Sequence, residues 1–159
     1  MSERIETHRQ KLISARQHLD SVLDAIGDRW DTPVYSEGAA WNVKQLLLHL
    51  AISDKGQAST VKQIAAGQNP IPEDFDVERY NRRSVEKQVE MTVEQARQVL
   101  DETRADFMAW LDTLDESALD QQGRHANLNI YTISQFLDVI AQHERNHADD
   151  IAQVLGFGG

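Results

Sequence analysis

Residues 132–155 constrain the fold more than any other stretch. Ile133, Phe136 and Leu137, Ile140, His143, His147, Ile151 and Leu155 succeed one another at steps of three and four. Those steps keep every member on one face of a helix, and so apolar a face has to be covered by other elements. Two histidines occupy places in the stripe where leucine or isoleucine would serve a core better. Burying two imidazoles costs free energy unless the ring nitrogens find partners. One such partner is a metal ion, because histidines at i and i+4 aim two nitrogens at one point. Satisfied core histidines are the plainer alternative, and the pair alone does not decide between them.

Three other segments share this periodicity. Over residues 2–27, Ile5, Leu12, Ala15, Leu19, Val22, Leu23 and Ile26 form a stripe, and Gly27 suits the stop. His8 and His18 fall beside the stripe and read as surface residues. Asn42 reads as the N-cap of a second helix, with Gln45 at the capping-box position and Trp41 placed to staple onto Leu46. That helix runs through Val61 and Ile64 toward Gly67. Thr92 and Gln95 repeat the box ahead of a third helix carrying Ala96, Val99, Leu100, Phe107, Trp110, Leu111 and Leu114. Phe107 and Trp110 read as core aromatics rather than a cofactor platform.

The segments between them are loops. Residues 28–40 carry Trp30 and Tyr35, expected to pack over one end of the bundle. Residues 68–90 form a long link with room for a short helical turn from Val77 to Val85. Residues 115–131 hold His125 among Gly123, Asn127 and Asn129. No strand pattern competes. The expectation is a single all-α domain over residues 1–159, a four-helix bundle. Its long link can cross the bundle, so the second and third helices need not be antiparallel neighbours.

Composition narrows the function classes. A net charge of −10 repels phosphate backbones, so nucleic acid is not an expected partner. The absence of cysteine excludes disulfides, thiolate ligands and a cysteine nucleophile, and any thiol chemistry needs an external thiol. The charged start of the chain has no leader-like apolar core, and no apolar run approaches the ~18 residues of a membrane span. A cytoplasmic protein without a membrane partner is expected. No nucleophile elbow, dinucleotide fingerprint or phosphate-binding loop occurs.

A third histidine gives the pair its meaning. His49 follows Asn42 by seven residues, and His147 precedes Leu155 by eight. If those two helices run antiparallel, both rings stand at one height, with His143 a turn away, roughly 6 Å along the axis. Three imidazoles with an open side suit a catalytic divalent ion: Zn²⁺ or Ni²⁺ first, Fe²⁺ or Mn²⁺ after them. Neutral ligands leave the ion's charge uncompensated, which makes a bound water more acidic. Glu144, Gln45, Ser53 and Asp54 lie within a turn of the ligands as orienting candidates. Among them Glu144 and Asp54 are the candidate catalytic proton carriers, against the plainer reading of solvated surface charge. Arg145 and Arg124 are candidates for the pocket mouth. Histidine must be neutral to bind, so metal release is expected below about pH 6.

Three motifs in this order resemble the DinB-like superfamily, with its YfiT-like proteins and thiol-dependent transferases. They are the run from Trp41 through His49 to Leu50, the run from Phe75 to Asn81, and His143-Glu-Arg-Asn-His147. The resemblance spans nearly the whole chain. It implies up-down-down-up connectivity, with the family's metal ligands falling on His49, His143 and His147. It also implies a divalent metal that activates a low-molecular-weight thiol such as mycothiol or bacillithiol. Other members are hydrolases or isomerases, and homodimers are common. The expected function is a metal-dependent thiol S-transferase or hydrolase acting on a small electrophile. A non-catalytic bundle that binds a small ligand or partner, with a structural or incidental metal, remains the alternative.

Overall fold

The computed structural model describes residues 2–157. Its helices are α1 (Glu3–Asp24), α2 (Val43–Ala65), α3 (Val77–Lys87), α4 (Val93–Asp112) and α5 (Ile133–Leu155). All but α3 are long and build the bundle. Capping chemistry fixes where three of them begin. Asn42 with Gln45, Thr92 with Gln95, and Thr132 with Gln135 each form both halves of a capping box, and such caps contribute about 1 kcal/mol each. Gly156, at φ 77°, takes the left-handed turn that closes α5.

Two apolar clusters reveal the helix directions. One gathers Leu23 from the end of α1, Leu46 from the start of α2, Leu100 from the first half of α4 and Ile151 from the end of α5. The other gathers Ile5, Val61, Phe107 and Phe136 from the opposite ends of the same helices. Hence α2 and α4 run parallel while α1 and α5 run against them, an up-down-down-up bundle. Parallel neighbours need a long crossing connection. Residues 66–92 supply it, and α3 lies within it, longer than the turn expected there.

Between the clusters lies an ionic layer that takes one residue from each long helix: Arg16, Asp54, Arg104 and Glu144. Each is buried. Arg16 Nη2 donates to Glu144 Oε1 at 2.9 Å, and Arg104 Nη2 donates to Glu144 Oε1 and Asp54 Oδ1, both at 3.0 Å. The arginines also donate to the main-chain oxygens of Leu100 and Leu12, tying α4 and α1 together. Two cations meet two carboxylates, so the layer carries no net charge. Burial works to lower the Arg16 pKa, but Glu144 and then Asp54 outweigh it and leave it raised.

Three expectations change here. Residues 122–132 are not all loop: β1 (Gln122–Arg124) pairs antiparallel with β2 (Ile130–Thr132), Gly123 opposite Tyr131. The strands are too short for alternation to betray them. A side chain at Gly123 would overlap Ile64 of α2, so the hairpin lies flat on that helix. His8 is not a surface residue but 5% exposed, its Nε2 2.8 Å from Ser134 Oγ. Glu144 and Asp54 are not solvated either, because arginines from the neighbouring helices neutralise them. His18 does lie at the surface, beside Asp149.

Candidate metal centre

Antiparallel packing of α2 and α5 brings the first turns of one against the last turns of the other. His49, His143 and His147 meet there with their Nε2 atoms inward. Nε2 of His143 lies 3.4 Å from that of His49 and 3.2 Å from that of His147. One donor nitrogen from each of the three lies within 4.8 Å of the others. A proton on His143 Nε2 can point to one neighbour at a time, and its lone pair can likewise accept from one, so hydrogen bonding among the rings satisfies one of the two contacts and leaves the other unmade. A cation relieves that. Nitrogens about 2.0–2.1 Å from Zn²⁺ at tetrahedral angles stand roughly 3.3–3.4 Å apart, which matches the spacing of His143 from each of its two neighbours. The three residues could therefore hold a divalent ion.

The rings are kept neutral by burial. Desolvation, reinforced by the repulsion a protonated His147 would exert, pushes His49 and His143 down to about 3. Burial also lowers His147, with Asp150 acting in the opposite sense. Neutral imidazole is the form that ligates.

His49 and His147 are each held by a different neighbour. Trp41 lies over His49 with ring centroids 4.7 Å apart. His147 is oriented by a residue that sequence reasoning placed only as packing. Tyr35 donates its hydroxyl proton to Asp150, so His147 Nδ1 donates to the Tyr35 oxygen at 2.8 Å. That fixes the tautomer and leaves Nε2 free to ligate. The loop that carries Tyr35 is pinned to the start of α2: the amides of Val34 and Tyr35 donate to Trp41 O, and that of Val43 donates to Thr32 O. No spacing rule links a loop tyrosine to a helix more than a hundred residues away.

A fourth histidine stands nearby. His125, on the hairpin, adds to the lowering of the His143 pKa. Its Nδ1 accepts from the Asn127 amide, so its Nε2 donates to Gln57 at 3.1 Å, and Gln57 in turn donates to Ser53 at 3.1 Å. Ser53, a candidate to orient a ligand ring, is thus engaged along α2. Gln45, another, is taken up by its cap.

The histidines open onto a cleft of about 380 Å³, walled also by Tyr35, Trp41 and, from α3, Glu78, Asn81 and Arg82. Neither Glu144 nor Asp54 is on its wall. Glu144 follows His143 by one residue, a rotation of about 100° around the helix, which turns it from the cleft into the ionic layer. Arg145 and Arg124 do not reach the mouth. The first donates to Ser14 on α1, and the second binds Ile71 O and Glu73. Arg82 stands there instead. Among the described residues no helix is long and apolar enough to cross a membrane.

Comparison with known proteins agrees with the bundle fold. No curated protein matches the chain at a significant level. A solved structure of YfiT from Bacillus subtilis, described as a probable metal-dependent hydrolase with an unusual four-helix bundle topology, superposes with a TM-score of 0.76. The match covers 99% of this chain and 91% of that one at 20% identity, so the likeness is one of fold. The sequence profile of the DinB superfamily matches residues 11–151, and the chain belongs to that superfamily.

Proposed function

We propose that this chain is a divalent-metal-dependent enzyme that hydrolyses a small electrophile or transfers a low-molecular-weight thiol to it. The convergence of three neutral Nε2 atoms, open on one side to a cleft, carries the reading. His49, His143 and His147 hold the ion. An all-imidazole set favours Zn²⁺, with Ni²⁺ next and Fe²⁺ or Mn²⁺ after. When bound, such an ion lowers the pKa of a water or thiol and polarises an electrophile.

The chain's own groups do the positioning. Tyr35 and Asp150 hold the His147 ring, and Trp41 covers His49 and keeps water from its outer face. The cleft admits a ligand of metabolite size, and its α3 wall sets what can enter. Glu144 and Asp54, the proton carriers expected from sequence, serve in this reading to set helix register. Their occupation by Arg16 and Arg104, away from the cleft, supports that assignment. YfiT's description as a probable metal-dependent hydrolase supports hydrolysis first.

The test is elemental analysis of protein expressed without added metal, beside His49→Ala. About one equivalent of divalent ion per chain is expected. The variant should lose the ion and all turnover of activated esters or thiol acceptors while melting as a cooperative bundle. Unfolding on metal removal would instead assign the ion a structural role.

A further inference from the structure

The acidity of this chain makes its unpaired arginines conspicuous. Acidic residues outnumber basic ones 26 to 16, and most arginines have found a carboxylate: Arg4, Arg9, Arg16, Arg97, Arg104 and Arg124. Arg29 donates to main-chain oxygens instead and Arg145 to Ser14, whereas on α3 the pattern breaks. Among the described residues no carboxylate oxygen lies within 4.0 Å of Arg79, Arg82 or Arg83. Of these only Arg82 lines the cleft in front of the histidines.

Local chemistry offered Arg82 a partner that it does not take. Glu78 precedes it by one turn, the spacing and order that favour an ion pair on a helix. Both residues line the cleft, yet they stand apart. Asn81, with an amide donor, lines it between them. A guanidinium has a planar fork of donors that matches a carboxylate or phosphate. It is the one arginine on the walls of this cleft, and the three other basic-capable walls are neutral imidazoles.

We propose that Arg82, assisted by Asn81, binds an anionic head group on the substrate, a carboxylate or a phosphate. The reactive centre of the same molecule then lies against the three histidines. This deepens the metal-dependent reading by naming the substrate class, a small monoanionic or dianionic electrophile. The cleft's charge agrees. With a divalent ion bound, its charge and that of Arg82 would outweigh Glu78 and Asp150, giving a positive spot on an acidic protein that concentrates anions.

Equilibrium binding tests this without any assumed reaction. Succinate, inorganic phosphate and neutral succinamide are titrated by calorimetry into zinc-loaded and metal-free protein, using wild type, Arg82→Gln and Arg79→Gln. Arg79 shares the helix but not the cleft, so its variant controls for general charge. Succinate or phosphate should bind wild type, lose about tenfold or more in affinity in Arg82→Gln, and be unchanged in Arg79→Gln. Succinamide should bind far more weakly than succinate. Whichever anion shows the dependence identifies the head group. Anion binding that is equal in wild type and Arg82→Gln, or equally reduced in both variants, overturns the proposal, as does the absence of anion binding by metal-loaded wild type. If the protein takes up no metal, yet Arg82-dependent anion binding persists, the metal reading fails and the anion site stands.

Discussion

The phenolic oxygen of Tyr35 lies 2.8 Å from Nδ1 of His147, although the two residues are separated by most of the bundle's sequence. Asp150 accepts the phenol's proton, so donation runs from His147 Nδ1 through Tyr35 to Asp150 and leaves Nε2 as the nitrogen that faces the cleft. Groups that orient a metal-binding histidine typically change affinity 10–100-fold when removed. Tyr35→Phe should therefore weaken zinc binding by about that factor and leave the thermal transition of the metal-free protein nearly unchanged. A chelator-competition titration measures it. Equal affinities would show that Tyr35 does not orient the ring.

Proton competition follows from the buried rings. His49 and His143 are held down to about 3, from 6.5 in the unfolded chain. Below pH 6.5 the unfolded chain takes up protons that these folded rings refuse. Their contribution to stability is therefore whole above that pH and is lost as pH falls toward 3. The metal-free protein should show a urea midpoint that declines over this range, and His49→Leu with His143→Leu should flatten the decline.

Metal retention moves with those pKa values. The expectation of release below about pH 6 rests on ordinary histidine. Burial shifts the competition lower, so zinc should be held at pH 6 and lost only further toward pH 3. Elemental analysis after dialysis across this range tests it, and complete loss by pH 6 would contradict it.

The ionic layer should respond unequally to single and paired changes. Removing one partner strands a buried charge, which costs about 3–5 kcal/mol. Arg104→Met should therefore lose about that much stability in urea melts. Arg16→Met with Glu144→Gln, which removes one charge of each sign, should lose clearly less than the sum of the two single changes. Additive losses would mean that the four side chains do not act together.

Gly123→Ala should destabilise by about 1–3 kcal/mol, the usual range for overpacking. The added methyl meets the Ile64 side chain, and the hairpin must lift from α2 to admit it. An unchanged melting temperature would show that the contact relaxes freely.

The sequence made the helices legible because their starts obey local rules. Asn42, Thr92 and Thr132 each announce a cap three residues before a glutamine, and the stripes behind them repeat at helical spacing. The histidines were legible because an imidazole in an apolar stripe is locally inconsistent, and such inconsistency tends to mark a site. What stayed hidden depends on partners distant in sequence. Glu144 reads as solvated until Arg16 and Arg104 arrive from other helices. His8 reads as surface until Ser134 packs over it. Tyr35 and Arg82 lie on connections whose course no periodicity encodes, and strands of three residues are too brief to alternate.

The two walls of the cleft differ in what holds them. The histidines stand on α2 and α5, whose other faces fill both apolar clusters, whereas α3 commits only Val85 to the interior. A change to α3 disturbs little else. Substitutions on α3 are thus the ones the bundle tolerates best, so the wall that faces the three histidines can change while the helices that carry them do not.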